Sequence, residues 1–179
     1  GQPEREERVI GMVEQMDVRP DDSVVELGHG HGVAATAICE RLAAGSGRYV
    51  GVDRSATMTA AAGRRLAEHL DAGRALLVTG SVADAALDGS FDLVVAIHFP
   101  PIERGDPTAE LAALVPRLRV GSRLCVGFQP PSPAGVDAVV ERLGGLLPAQ
   151  GFTVDEVRRG TPGGRPAVVV MATWSPADG

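Results

Sequence analysis

Apolar runs of strand length alternate with segments of helical period along most of this chain, and no other feature restricts its fold as much. The runs at 23–27, 48–52, 75–79, 91–97 and 123–128 are short and almost continuously apolar, as strands buried on both faces are. Helical spacing fills 33–44, 56–70 and 107–118. A further helix starts at Ser132-Pro133, a capping serine with proline in the first turn, and carries Val136, Val139, Val140, Leu143 and Leu147 on one face. Ahead of all this, residues 3–16 read as an amphipathic helix, ended by Arg19-Pro20-Asp21-Asp22. Strands separated by helices pair in parallel, because a parallel neighbour needs a long crossover. The last two runs, 153–159 and 167–174, are joined only by the Gly/Pro segment 160–166, so these two must run antiparallel. The expectation is a single α/β domain over 1–179: a leading helix at 3–16, a core at 23–128, and a helix with a closing β-hairpin at 132–174.

Composition narrows what such a domain does. With 44% hydrophobic and 22% charged residues the chain matches globular proteins and not disordered ones. Its net charge of −6 argues against nucleic acid as a partner, since phosphate binding needs clustered positive charge. All 17 basic residues are arginine, which fits a GC-rich genome such as that of an actinobacterium and excludes lysine chemistry. Cys39 and Cys125 sit far apart in apolar runs and read as buried small hydrophobes, not as a disulfide. No run approaches the length of a membrane span and no charged-then-apolar leader is seen, so a cytoplasmic protein with no membrane partner is expected.

The turn after the first strand carries the chemistry. It reads Glu26-Leu27-Gly28-His29-Gly30-His31-Gly32, at the carboxyl end of the sheet, where open α/β sheets bind ligands. Glycines let backbone approach a ligand closely, and the following helix offers free N–H groups. Asp53 closes the second strand, where a carboxylate accepts both hydroxyls of a ribose. Together they indicate an adenosine-containing ligand. Two cofactor classes fit at this level, because Gly30–Ala35 also satisfies the G-x-G-x-x-A form of dinucleotide sites. A nicotinamide-dependent oxidoreductase would call for a catalytic tyrosine or lysine, yet the only tyrosine, Tyr49, lies within the second strand.

The full set of segments resembles the class I S-adenosylmethionine-dependent methyltransferases over nearly the whole length. Glu26–Gly32 is similar to their first motif, an acid, an apolar residue, then G-x-G-x-G. Val50-Gly51-Val52-Asp53-Arg54-Ser55 with Met58 resembles the second, Ser90–Ala96 the fourth, and Leu118–Leu124 the segment before strand five. Phrases such as Cys39–Leu42 and Gly51–Met58 resemble small actinobacterial members. The resemblance implies a Rossmann-like, doubly wound, seven-stranded sheet of order 3-2-1-4-5-7-6 with the last strand antiparallel. It also implies S-adenosylmethionine as cofactor, released as S-adenosylhomocysteine. Glu26 would then hold the cofactor's amino group, Gly28, Gly30 and Gly32 would pack against it, and His29 would cover its methionine end. Asp53 would take the ribose; Arg54 or Met58 would lie beside the adenine, with Val82, and Ile97 would line the site. Ser81 stands where many members carry an acid for the adenine amino group, so that role would pass to the serine, a backbone N–H or Asp84.

His29 and His31 at i, i+2 lack a third ligand nearby, so no metal is expected. His98 follows strand four, facing the cofactor's methyl group in the family's fold. It serves either as a general base towards a hydroxyl or amine nucleophile or as a wall residue. Phe99-Pro100-Pro101-Ile102 departs on both sides from the motif of amide- and base-methylating members, so that activity is not carried over. Glu103, Asp106 and Gln129 lie in loops near the same edge, either as substrate contacts or, the commoner case, as ordinary solvated loop polarity. Methyl transfer to a small-molecule acceptor with an O, N or C nucleophile is expected, the further alternative being a non-catalytic domain that keeps the same fold for cofactor binding or dimerisation. The acceptor pocket would be shallow, or completed by residues 102–108, the first helix, or a second subunit in a homodimer.

Overall fold

The computed structural model describes residues 1–160 and 167–177, so the Gly/Pro segment at 161–166 lies outside the described residues. Its elements are α1 (Gln2–Glu14), β1 (Ser23–Leu27), α2 (Val33–Leu42), β2 (Arg48–Asp53), α3 (Ala56–Arg65), α4 (Ala67–Asp71) and β3 (Ala75–Thr79). Then come β4 (Phe91–Ile97), α5 (Pro100–Glu103), α6 (Thr108–Leu114), β5 (Leu118–Phe128), α7 (Pro133–Leu146), β6 (Phe152–Gly160) and β7 (Ala167–Trp174). One seven-stranded sheet has the order β3-β2-β1-β4-β5-β7-β6. The pairs β1–β2, β2–β3, β1–β4 and β4–β5 are parallel, and β7 runs antiparallel to both β5 and β6. This is the Rossmann-like order expected, with strand order reversing between β1 and β4.

Side chains alternate across a strand, and here both faces are covered. Val25, Leu27, Val52, Val94, Ala96, Leu124 and Val126 pack towards Ile102, Leu111 and Leu114 and towards Val136 and Leu143 of α7. Val24, Tyr49, Leu93, Val95 and Cys125 pack on the opposite side with Met12 and Val13 of α1 and Ile38 and Leu42 of α2. Parity puts Glu26, Tyr49, Gly51 and Asp53 on this second face, under the start of α2. Among the described residues no helix is long and apolar enough to cross a membrane.

Four segments differ from the sequence expectation, each for a local reason. The opening helix ends at Glu14, with Asp17 in the left-handed region at φ 53°. The helix expected at 56–70 breaks at Leu66, which is fully buried with φ −96° and ψ 9°; hydrogen bonds from Leu66 to Ala62 and from Leu70 to Leu66 continue through the break. Pro116 has no N–H with which to continue the α-helical ladder, and the end of the 107–118 segment closes as a 3₁₀ turn. Strand β5 begins at Leu118, five residues earlier than expected, through a register shift opposite Phe91 and Leu93. The Ser132 cap is present, its hydroxyl accepting the Gly135 N–H at 3.3 Å.

Candidate active site

The glycine turn splits its work between packing and access. Gly28 (φ 73°) and Gly32 (φ 89°) occupy the left-handed region that side chains avoid. A Cβ at Gly28 would stand 2.9 Å from the Phe99 ring, and one at Gly32 3.1 Å from the Ala62 side chain of α3. At Gly30 a Cβ would meet nothing within 4 Å, so this backbone faces open space. Asp53 fixes the turn: Oδ2 accepts the Gly30 N–H and Oδ1 the Ser55 N–H, both at 2.9 Å. A carboxylate has about four acceptor positions, so two remain for a ligand.

Glu26 is 2% exposed, in the sheet itself. Tyr49 donates its hydroxyl to Glu26 Oε1 at 2.6 Å. The pairing depends on Gly51, between them on the same face, where a Cβ would stand 2.5 Å from the phenol oxygen. Burial pushes the Glu26 carboxyl up to about 8; the Tyr49 hydrogen bond works downward and the Asp53 charge upward. Near neutral pH the group is therefore largely a neutral acid that ionises readily when a cation approaches. Tyr49, 1% exposed and bonded to Glu26, is not available as the catalytic tyrosine of an oxidoreductase, and burial raises its hydroxyl further out of range.

The three histidines at this edge of the sheet occupy three different environments. His29 is buried, with Nδ1 2.8 Å from the Gly30 carbonyl, which puts the proton on Nδ1; Nε2 faces Thr59 Oγ1 at 3.5 Å. His31 is exposed. His98 stands directly after β4 with φ 51°, a strained conformation for a non-glycine residue, and its N–H donates to the Gly127 carbonyl at 3.0 Å. Its imidazole is solvent-accessible, and partial burial of the ring lowers its pKa; Glu103 opposes the shift and Arg8 adds to it. Among the described residues no group of three or more His, Cys, Asp and Glu is placed to hold a metal ion. Both cysteines are buried and free, their thiols pushed up to about 12 by burial.

Two cavities meet at Gly28, Asp53, Phe99 and Pro100. The first, about 390 Å³, brings together Glu26, His29, Gly30, Asp53, Ile97 and His98, with Val9 of α1 on its rim. The second, about 370 Å³, takes in Val52, Arg54, Gly80, Ser81, Val82 and Glu110. A third, about 380 Å³, extends from Val9, His31 and Val33 along α1 to Arg5 and Glu6. Of the sequence candidates, Gly32 packs on Ala62, and Met58 lines none of these three cavities, its N–H being capped by Ser55 Oγ at 3.2 Å. Glu103 belongs to a short helix, α5, where a loop had been expected, and Asp106 caps Thr108.

Two polar residues that the sequence did not single out, Arg8 and Glu110, stand out here beside Gln129, which it did. Arg8, buried in α1, donates Nε to Gln129 Oε1 at 3.0 Å across 121 residues. Gln129 Nε2 and Glu110 Oε2 are buried without a hydrogen-bond partner among the described residues. Such atoms are few in native proteins, and these two sit beyond β5 and on α6, on the side of the sheet that carries the cavities.

No curated protein matches the sequence. Among solved structures, an S-adenosylmethionine-dependent methyltransferase from Aquifex aeolicus superposes with a TM-score of 0.73 at 17% identity, covering 93% of this chain and 89% of its own. The magnesium protoporphyrin IX methyltransferase of Synechocystis PCC 6803, solved with S-adenosylmethionine bound, gives 0.61 at 20% identity, with 93% and 76% covered. The [4+2]-cyclase SpnF gives 0.73 at 14% identity, with 96% and 82% covered. At such identities the likeness establishes the fold and not the reaction, as the cyclase illustrates. The sequence itself is matched over residues 24–121 by the model of the methyltransferase domain. That match spans the glycine turn, Asp53, His98 and Glu110, and the chain belongs to the methyltransferase-domain family.

Proposed function

We propose that this chain binds S-adenosylmethionine along the two joined cavities and transfers its methyl group to a small-molecule O, N or C nucleophile. The observation that carries the reading is the buried Glu26 and the half-buried Asp53 flanking the open backbone of Gly30 in one cavity. An uncompensated buried acid suits an ammonium group, and the free acceptor positions of Asp53 suit a ribose diol. The cofactor's amino end then lies by Glu26 and His29, its ribose at Asp53, and its adenine beside Arg54, Ser81 and Val82. Bound there, the cofactor supplies a sulfonium methyl already activated for displacement, so much of the rate comes from holding the acceptor in line.

His98 is the base in this reading. Its lowered pKa keeps it deprotonated at neutral pH, and its position between Ile97 and Phe99 suits a hydroxyl or amine beside the methyl group. The acceptor enters along α1, past Val9 and Arg5, so the first helix forms part of its pocket; a homodimer partner would close the remaining side. The chain is read as a single domain over 1–179, cytoplasmic and of actinobacterial type, with its negative charge disfavouring nucleic acid acceptors. The test is incubation with methyl-labelled S-adenosylmethionine across hydroxyl, amine and carbon-acid acceptors. Label in an acceptor with release of S-adenosylhomocysteine is the expected result. Tight cofactor binding with no transfer to any class contradicts it.

A further inference from the structure

Glu110, on the wall of the second cavity, carries a carboxylate oxygen with nothing to accept. It lines the cavity from α6, and its Oε2 is buried without a hydrogen-bond partner among the described residues. A buried acceptor without a donor is costly to a fold, and a ligand N–H removes the cost. The other polar groups nearby are already engaged or of the wrong kind. Ser81 donates its hydroxyl to Asp84 Oδ2 at 2.8 Å and accepts the Asp84 N–H at 3.1 Å. Asp84 is exposed and does not line the cavity. Asp53 turns its carboxylate to Gly30 and Ser55, and its two remaining acceptor positions go to the ribose in the reading above. Arg54 offers only donors. The rest of the lining is Val52, Val82, Phe99 and prolines 100 and 101, an apolar wall suited to a flat ring.

We propose that Glu110 accepts the 6-amino group of the adenine and sets the base preference of the site. The proposal rests on the reading of the joined cavities as an S-adenosylmethionine site. It assigns the base-reading acid to a helix that follows β4, in place of the end of β3, where this chain has Ser81. One atom of Glu110 then distinguishes a purine carrying an N–H donor at that position from one without it. The remaining cofactor contacts, at Glu26 and Asp53, do not depend on the base.

The experiment is calorimetric titration of wild type, Glu110→Gln and Glu110→Ala with two ligands: S-adenosylhomocysteine and its purine analogue, in which hydrogen replaces the 6-amino group. Wild type is expected to prefer the adenine ligand by roughly 10–100-fold, the range for a hydrogen bond to a charged group. Glu110→Ala should bind both ligands within about threefold of each other, as expected once that bond is lost. Glu110→Gln, which keeps the shape and one carbonyl acceptor, should fall between. Melting curves without ligand establish that the variants are folded. Full adenine preference in Glu110→Ala overturns the proposal, as does equal weakening of both ligands, which would mark a merely structural role. A wild type that binds S-adenosylhomocysteine without preferring it overturns the proposal and leaves the cofactor reading standing. A wild type that binds neither ligand removes both.

Discussion

The two edges of the sheet are built differently. At the amino-terminal edge the prominent polar groups find partners within the protein. Asp22 pairs with Arg123 at 3.0 Å, and Arg123 also donates to the Met16 carbonyl; Ser23 N–H meets Asp92; Ser122 bridges Arg119 N–H and the Phe91 carbonyl; Arg119 pairs with Asp92. The carboxyl-terminal edge holds the buried acid Glu26, the strained His98, and the unpartnered atoms of Glu110 and Gln129. One edge closes the fold on itself; the other leaves hydrogen-bonding capacity and strain in place for something that binds. Substitutions at the first edge should therefore cost stability, and those at the second should cost binding or turnover.

The largest effect should come from His98→Asn, chosen because asparagine tolerates the same left-handed backbone. Turnover should fall by about 10²–10⁴-fold, the usual contribution of a general base, with S-adenosylhomocysteine affinity nearly unchanged. Because burial lowers the His98 pKa, wild-type activity should fade only below the ordinary histidine range. Unaltered turnover would make His98 a wall residue.

At the opposite edge, Asp22→Ala removes the only carboxylate paired with the Arg123 guanidinium among the described residues, a side chain only 14% exposed. Urea denaturation should register a loss of about 3 kcal/mol, the low end for a broken buried pair, because Arg123 keeps its carbonyl partners. Cofactor affinity should stay where it was. Asp53→Ala should reverse the pattern, with affinity down about 100-fold for the loss of charge-assisted bonds to the ribose and a smaller fall in stability. Two variants affecting both properties alike would erase the contrast between the edges.

The mildest effect is a pH dependence. Folding raises the Glu26 carboxyl from its ordinary value to about 8, so its contribution to stability is complete below the unfolded value and fades as pH climbs towards 8. Ligand binding runs the other way. An ammonium group at Glu26 favours the carboxylate, so affinity for S-adenosylhomocysteine should climb between pH 6 and 8, by at most about tenfold per unit. Tyr49→Phe removes a hydrogen bond that holds the carboxyl down and should move the climb to higher pH. A flat profile in Glu26→Gln and a sloping one in wild type would assign the titration.

Much of the sheet was legible because its signals are local. Continuous apolar runs, Ser132-Pro133, and a final pair of strands too closely spaced for a crossover each point one way. The helix break at Leu66 has no such marker, since it depends on how that side chain meets the core. Pro116 does carry a signal, masked by the apolar spacing on either side of it. In the site, Glu26, the glycines and Asp53 stood out as a motif, whereas Tyr49 on Glu26 shows only as a glycine two places on, Gly51, and becomes meaningful once the strands are in register. Glu110 looks like any acid in the first turn of a helix. Its interest comes from the path between β4 and β5, which lays α6 over the second cavity, and from Ser81 and Asp84 being bonded to each other.

Calorimetric titration of the whole chain with S-adenosylhomocysteine, run beside NAD and NADPH, tests the reading of the carboxyl edge most directly. Micromolar binding of S-adenosylhomocysteine alone is the predicted result. Binding of a dinucleotide in its place, or of none of the three, would contradict it.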